Sequence, residues 1–160
     1  MTSEEETPPE AKENVPGAWG GRQRLAVSRA INPEEPKWAS LSGLKILVVE
    51  DEFLVALEVE SALKRMGCSV VGPFGRLEKA LEAAGPAALD GAVLDINLGG
   101  EKVYPLAELL AERHVPFIFL TGYAAADLPE EFRSFPRLSK PLDASALLEA
   151  ILELKRGAGR

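Results

Sequence analysis

The sequence predicts an α/β fold, a doubly wound five-stranded parallel sheet with helices on both faces. Short apolar runs alternate with helix-length amphipathic stretches from Leu44 onward. Glycine and proline punctuate the short connections between them. Runs such as Ala92-Val93-Leu94 lack polar alternation, as strands buried on both faces do. Five strand–helix units of this kind imply a parallel sheet covered on both sides, and right-handed crossovers then leave a doubly wound topology.

Leu44-Lys45-Ile46-Leu47-Val48-Val49 is a β-branched apolar run and gives the first strand. Phe53, Ala56, Val59, Leu63 and Met66 recur at helical spacing, and Gly67 stops that helix. Ser69 to Gly72 is a second strand, and residues 76 to 84 a second helix closed by Gly85-Pro86. Residues 91 to 95 form the third strand, with Gly99-Gly100 reading as a flexible turn beyond it. Pro105 suits the first turn of a third helix, with Val103, Leu106 and Leu110 facing inward. Pro116 to Leu120 is the fourth strand, ending in Thr121-Gly122-Tyr123. A short fourth helix is expected over residues 124 to 133, disturbed by Pro129. Phe135 to Leu138 is a brief fifth strand, and Asp143 can cap the last helix, which presents Leu147, Ile151 and Leu154 to the sheet.

Residues 1–43 differ from the rest. They hold five of the twelve prolines and no sustained hydrophobic period, the character of a flexible extension. Leu25 to Ile31 is the one stretch there that suits a short helix, and both tryptophans, Trp19 and Trp38, lie in this segment. Residues 44–156 form the folded domain, and 157–160 a C-terminal tail.

With 18 basic and 25 acidic side chains the formal charge is −7, which argues against a phosphate-backbone binder and an anionic membrane surface. A single cysteine, Cys68, excludes an internal disulfide. No apolar run reaches a membrane span, and Glu4-Glu5-Glu6 stands where a signal peptide needs positive charge. The expectation is a cytoplasmic protein that binds neither DNA nor membrane.

In a parallel sheet, the carboxyl ends of the strands open on one edge, where ligands collect. Glu50 and Asp51 follow strand one, Asp95 ends strand three, Thr121 strand four, and Lys140 follows strand five. Three carboxylates brought together raise each other's pKa values, a conflict that a divalent cation removes. Mg²⁺ takes one or two carboxylates and phosphate oxygens, which leaves an aspartate free to form an aspartyl-phosphate. A hydroxyl and an ammonium suit the phosphoryl oxygens. Glu52 reads as an ordinary helix-start charge, and His114, the sole histidine, as a surface residue.

On these residues, the chain from Leu44 to about Arg156 resembles the receiver domain of bacterial two-component response regulators. The resemblance implies the flavodoxin-like, CheY-like strand order 2-1-3-4-5. It implies that Asp95 accepts a phosphoryl group from a sensor histidine kinase. Asp51 would bind Mg²⁺ directly, Glu50 through water, and Asn97 through its backbone carbonyl. Thr121 matches the switch hydroxyl, and Lys140, before Pro141, the phosphate-binding lysine. Such a protein catalyses only its own phosphorylation and dephosphorylation, and is not otherwise an enzyme. The stretch Pro116 to Tyr123 resembles the FATGUY subgroup of single-domain receivers, found in alphaproteobacterial stress phosphorelays with kinases of the HWE and related types; Leu120 stands where that subgroup carries alanine.

Typical receivers carry a switch aromatic three positions before the lysine, and here that position is Arg137. Tyr123 is the candidate to supply the moving ring or to cover the phosphoryl group. No output module follows residue 156 in the sequence, so the signal is expected to leave through protein contacts on the face of the fourth helix, fifth strand and last helix. Two alternatives are a Mg²⁺-dependent phosphohydrolase working through an aspartyl-phosphate, as in haloacid-dehalogenase-like enzymes, and a phosphate-independent binding module of receiver shape. The first needs a nucleophile on strand one with an aspartate two residues later; here the residue two after Asp95 is Asn97.

Overall fold

The computed structural model describes residues 35–158. The expected extension up to residue 34, with Trp19 and the stretch Leu25 to Ile31, and the last two residues of the tail lie outside them. Five strands form one sheet: β1 (Lys45–Val49), β2 (Ser69–Phe74), β3 (Gly91–Asp95), β4 (Phe117–Thr121) and β5 (Arg137–Ser139). All neighbours run parallel, in the order β2-β1-β3-β4-β5 that the resemblance implies. Four α-helices connect and cover them: α1 (Phe53–Arg65), α2 (Leu77–Ala84), α3 (Tyr104–Glu112) and α4 (Ala144–Ala158). Among the described residues no helix is long and apolar enough to cross a membrane.

The two-residue period of the strands divides the core in two. Leu47, Val49, Ala92, Leu94, Phe117 and Phe119 point to one face and pack with α2 and α3 residues such as Ala80, Leu106 and Leu110. Ile46, Val48, Val93, Ile118 and Leu120 point to the other and meet Val59 and Leu63 of α1 and Leu147 and Ile151 of α4. Because both faces are covered, β1, β3 and β4 have almost no room for polar residues until their carboxyl ends. Asp143 caps α4, its Oδ1 accepting from the N–H groups of Ser145 (2.8 Å) and Ala146 (3.2 Å).

The structure departs from the sequence-based expectations in several places. The folded part begins before Leu44: a 3₁₀ turn at Lys37–Leu41 inserts Leu41, fully buried, into the α1/α4 core. Gly43 N–H donates to the Gly67 carbonyl (2.9 Å), and Lys155 reaches the Ser40 carbonyl, tying this turn to the domain. At the other end α4 continues through Ala158, past the expected start of the tail at 157.

The fourth helix does not form. Two 3₁₀ turns, Ala125–Asp127 and Glu130–Phe132, replace it. Pro129 lacks an N–H and disfavours helical backbone in the residue before it; Leu128 is extended (φ −85°, ψ 146°). The face expected to carry output is therefore built from 3₁₀ turns, β5 and α4.

Gly99-Gly100 is the two-residue loop of a small antiparallel hairpin pairing Asn97–Leu98 with Glu101–Lys102. Both glycines have positive φ (65° and 98°), as a primed hairpin turn requires. Finally, Phe53 leaves the apolar stripe of α1 and is exposed, as is Leu54.

Leu41→Ala tests whether the turn before β1 belongs to the folding unit. A fully buried leucine truncated to alanine costs about 2–5 kcal/mol. Urea unfolding is expected to show a loss in that range, whereas a dangling segment would show none.

Candidate functional site

Among the described residues Glu50, Asp95 and Thr121 are the buried polar ones, and all three stand at the carboxyl edge of the sheet. Each is there because its strand ends there. Val49 pairs with Leu94, Asp95 with Leu120, and Thr121 with Ser139, so the residues that close β1, β3, β4 and β5 arrive side by side. Lys140, the residue after β5, donates its own N–H to the Thr121 carbonyl (3.1 Å), which fixes its position over the edge.

The Lys140 ammonium is the centre of the site. Its Nζ lies 3.2 Å from Asp95 Oδ2, 3.0 Å from Glu50 Oε2 and 2.8 Å from Glu52 Oε1. Glu50 Oε2 is buried without an aligned hydrogen bond despite the nearby ammonium. Its other oxygen accepts from the Glu52 N–H (3.0 Å). Burial pushes the Glu50 carboxyl up to about 7, with the neighbouring Asp95 adding to the effect. Burial also raises Asp95, against the lowering influence of Glu50 hydrogen bonding and the Lys140 charge. Lys140 is held well above its usual range: burial, individually the largest effect, opposes this, but the close Glu52 and Glu50 carboxylates and the charge of Asp95 outweigh it.

Of the residues singled out in the sequence, Glu50, Asp95 and Lys140 touch one another, and Thr121 stands at the same edge. Thr121 Oγ1 accepts from the Tyr123 N–H (2.9 Å). Asn97 N–H donates to Asp95 Oδ1 (3.3 Å), while its side-chain amide donates to the Tyr123 hydroxyl (3.1 Å). Lys102 of the hairpin covers the Tyr123 ring, 4.6 Å from its centroid. Asp51 is exposed; a Cβ at Gly99 would lie 3.8 Å from its Oδ2, which places it at the hairpin side of the rim. Arg137, exposed at the start of β5, donates to the Arg133 carbonyl (2.9 Å) and not to the site.

Glu52, which the sequence presents as an ordinary helix-start charge, belongs to the cluster. Its carboxylate joins those of Glu50 and Asp95, ligand atoms within 4.8 Å of one another. Three carboxylates about one ammonium leave the cluster short of positive charge, and a buried oxygen of Glu50 lacks an aligned donor. An all-oxygen, acidic donor set of this kind fits a hard divalent cation such as Mg²⁺.

Residues 46–152 match the family model of the response regulator receiver domain. Among solved structures, SdrG from Sphingomonas melonis Fr1 is 38% identical with a TM-score of 0.64, covering 70% of this chain and 96% of that one. The BeF3-activated conformation of SdrG from Pseudomonas melonis Fr1 is 39% identical with a TM-score of 0.61, covering 71% and 98%. The phyllosphere-induced regulator PhyR of Methylorubrum extorquens is 28% identical, covering 72% of this chain and 46% of that protein. The chain spans about half the length of the curated relatives it matches.

The raised carboxyl of Glu50 makes stability depend on pH. A carboxyl whose folded pKa (about 7) exceeds the usual 4.5 binds its proton more tightly when folded. That contribution is complete below about pH 4.5 and is lost as pH rises through 7. Asp95, raised for the same reason, acts in the same direction, with Lys140 and Glu52 facing both. Without divalent cations, the unfolding midpoint is expected to fall between pH 5 and 8, and Glu50→Gln to flatten that slope.

Proposed function

The chain belongs to the response regulator receiver family, and from that premise we propose that it is a stand-alone receiver in a two-component phosphorelay, taking a phosphoryl group from a histidine kinase onto Asp95. The observation that carries this reading is the approach of Lys140 Nζ to 3.2 Å from Asp95 Oδ2, inside a ring of acidic residues at the sheet edge. The stand-alone character is supported by SdrG, which is matched over 96% of its length by little more than this domain.

Asp95 Oδ attacks phosphorus; the P–N bond to the donor imidazole breaks, its electron pair stays with nitrogen, and the imidazole leaves after taking a proton. Hydrolysis later returns the carboxylate and inorganic phosphate. Lys140 supplies an ammonium, and Thr121 a hydroxyl, to the phosphoryl oxygens, so the chain contributes positioning and charge neutralisation. Asp95 and Asp51, with Glu50 and the Asn97 carbonyl, would hold Mg²⁺. When bound, the cation neutralises the carboxylates and the incoming phosphoryl charge. The BeF3-activated conformation reported for the similar SdrG supports a site of this chemistry. The protein then turns over only its own phosphoryl group.

A kinase must present its phosphohistidine above the sheet edge. Phe53 (77% exposed) and Leu54 (70%) follow Glu50-Asp51-Glu52 directly, and a cavity of about 300 Å³ lined by Glu50, Asp51, Phe53, Ala56, Leu57 and Pro73 joins the start of α1 to the site. An apolar surface continuous with the site suits the helices that carry such a histidine. The likeness of Pro116 to Tyr123 to the FATGUY pattern favours a kinase of the HWE or a related type. Such a kinase and the lone Cys68, buried and free, suit a cytoplasmic protein.

Phosphorylation adds about −1.5 to −2 charges. Tyr123 is the residue best connected to feel them, through Asn97 and through Thr121 Oγ1. The signal then passes to a protein partner on the face of the 3₁₀ turns, β5 and α4.

With Mg²⁺ and acetyl phosphate, intact mass is expected to show a phosphoryl adduct that Asp95→Asn abolishes. No adduct with a competent donor would overturn the proposal. Tyr123→Ala is expected to change the dephosphorylation rate by about fivefold, the equivalent of one hydrogen bond. Arg137→Ala should change it by less than about twofold; equal, negligible effects would remove Tyr123 from the mechanism.

A further inference from the structure

Glu52 occupies the N-cap position of α1, where a carboxylate ordinarily accepts from the first-turn N–H groups. It makes no such bond. Its side chain instead crosses to Lys140, a residue 88 positions later in the chain, with Oε1 2.8 Å from Nζ. That is the shortest of the three carboxylate contacts to this ammonium. The pair contributes little to stability, because the Glu52 side chain is 62% exposed.

An ammonium has three N–H donors, and Lys140 faces three carboxylates. Two of those N–H groups go to Glu52 and Asp95, and Glu50 Oε2 lies 3.0 Å away without alignment. A phosphoryl oxygen that draws the ammonium to itself therefore competes first with the two bonded carboxylates. The Glu50 and Asp95 side chains are 1% and 7% exposed and have no water to turn to. Glu52 alone can exchange the lysine for solvent, or for the open N–H groups of α1.

We propose that Glu52 is a positioning residue that holds Lys140 in the unphosphorylated protein and surrenders it to the phosphoryl group. It thereby sets the barrier to phosphorylation and, on release, returns to the start of α1 beside Phe53 and Leu54. This rests on the receiver reading above, but assigns a role to a residue outside the matched acidic pair, hydroxyl and lysine.

The test is a double-mutant cycle read by the rate of phosphorylation with acetyl phosphate and Mg²⁺. Glu52→Gln is expected to accelerate the reaction about two- to fivefold, the equivalent of one exposed ion pair. In a Lys140→Met background the same substitution should change nothing, since there is no lysine to release. Lys140→Ala serves as a second background should the methionine variant unfold. Equal acceleration in both backgrounds would mean that Glu52 only repels the donor, and would overturn the proposal, as would no acceleration with Lys140 present. A wild-type protein that takes no adduct sinks the receiver reading itself; a normal adduct with a flat cycle sinks the role of Glu52 alone.

Discussion

One ammonium shared among three carboxylates governs this molecule. Removing charged groups from water costs several kcal/mol each, repaid only where partners are close and well placed. Lys140 reaches Asp95, Glu50 and Glu52 within 3.2 Å, so the buried pair Glu50 and Asp95 is tolerated through a lysine from the far edge strand. The neutralisation is incomplete. One cation cannot balance three anions, Glu50 retains an oxygen without an aligned donor, and its carboxyl is pushed up to about 7. A site left short of positive charge, rather than one balanced by its own residues, is a receptive one for a divalent ion.

The sheet makes this arrangement unavoidable. β1, β3 and β4 are covered on both faces, so their residues are apolar until the last positions. Polar side chains are admitted only where the strands run out, and parallel register brings those ends together. The same alternation sends Phe117 and Phe119 toward α2 and α3 and Ile118 and Leu120 toward α1 and α4, which makes Thr121 the first polar residue available on β4. Function sits at the edge because the core leaves it nowhere else.

This is also why so much was legible beforehand. An apolar run ending in a carboxylate or hydroxyl is a local signal, and Glu50, Asp95 and Thr121 each carry it. Lys140, by contrast, follows the short Arg137-Leu138-Ser139 and is marked only by its strand-end place before Pro141. What escaped was non-local or depended on competition. Glu52 looks like a helix-start charge because its actual partner is 88 residues away. The helical pattern over 124–133 yielded to the backbone restriction at Leu128-Pro129. Two signals were present and undervalued: Gly99-Gly100 between Asn97-Leu98 and Glu101-Lys102 is a two-glycine hairpin turn, and Leu41 before Ser42-Gly43 is an apolar anchor before a turn.

The absence of an aromatic at Arg137 redirects, rather than removes, the connection between Asp95 and the surface. Arg137 donates to the Arg133 carbonyl and so braces the 3₁₀ segment against β5, with no contact to the acidic cluster. Tyr123 is tied to that cluster from two sides. Asn97 holds Asp95 Oδ1 with its N–H and the Tyr123 hydroxyl with its amide, while the Tyr123 N–H rests on Thr121 Oγ1. A group that rotates Thr121 Oγ1 toward itself or displaces Asn97 from Asp95 therefore acts on the bonds that hold Tyr123. With Lys102 stacked over its outer face, the tyrosine links β3, the hairpin and the end of β4 at a single partly exposed point.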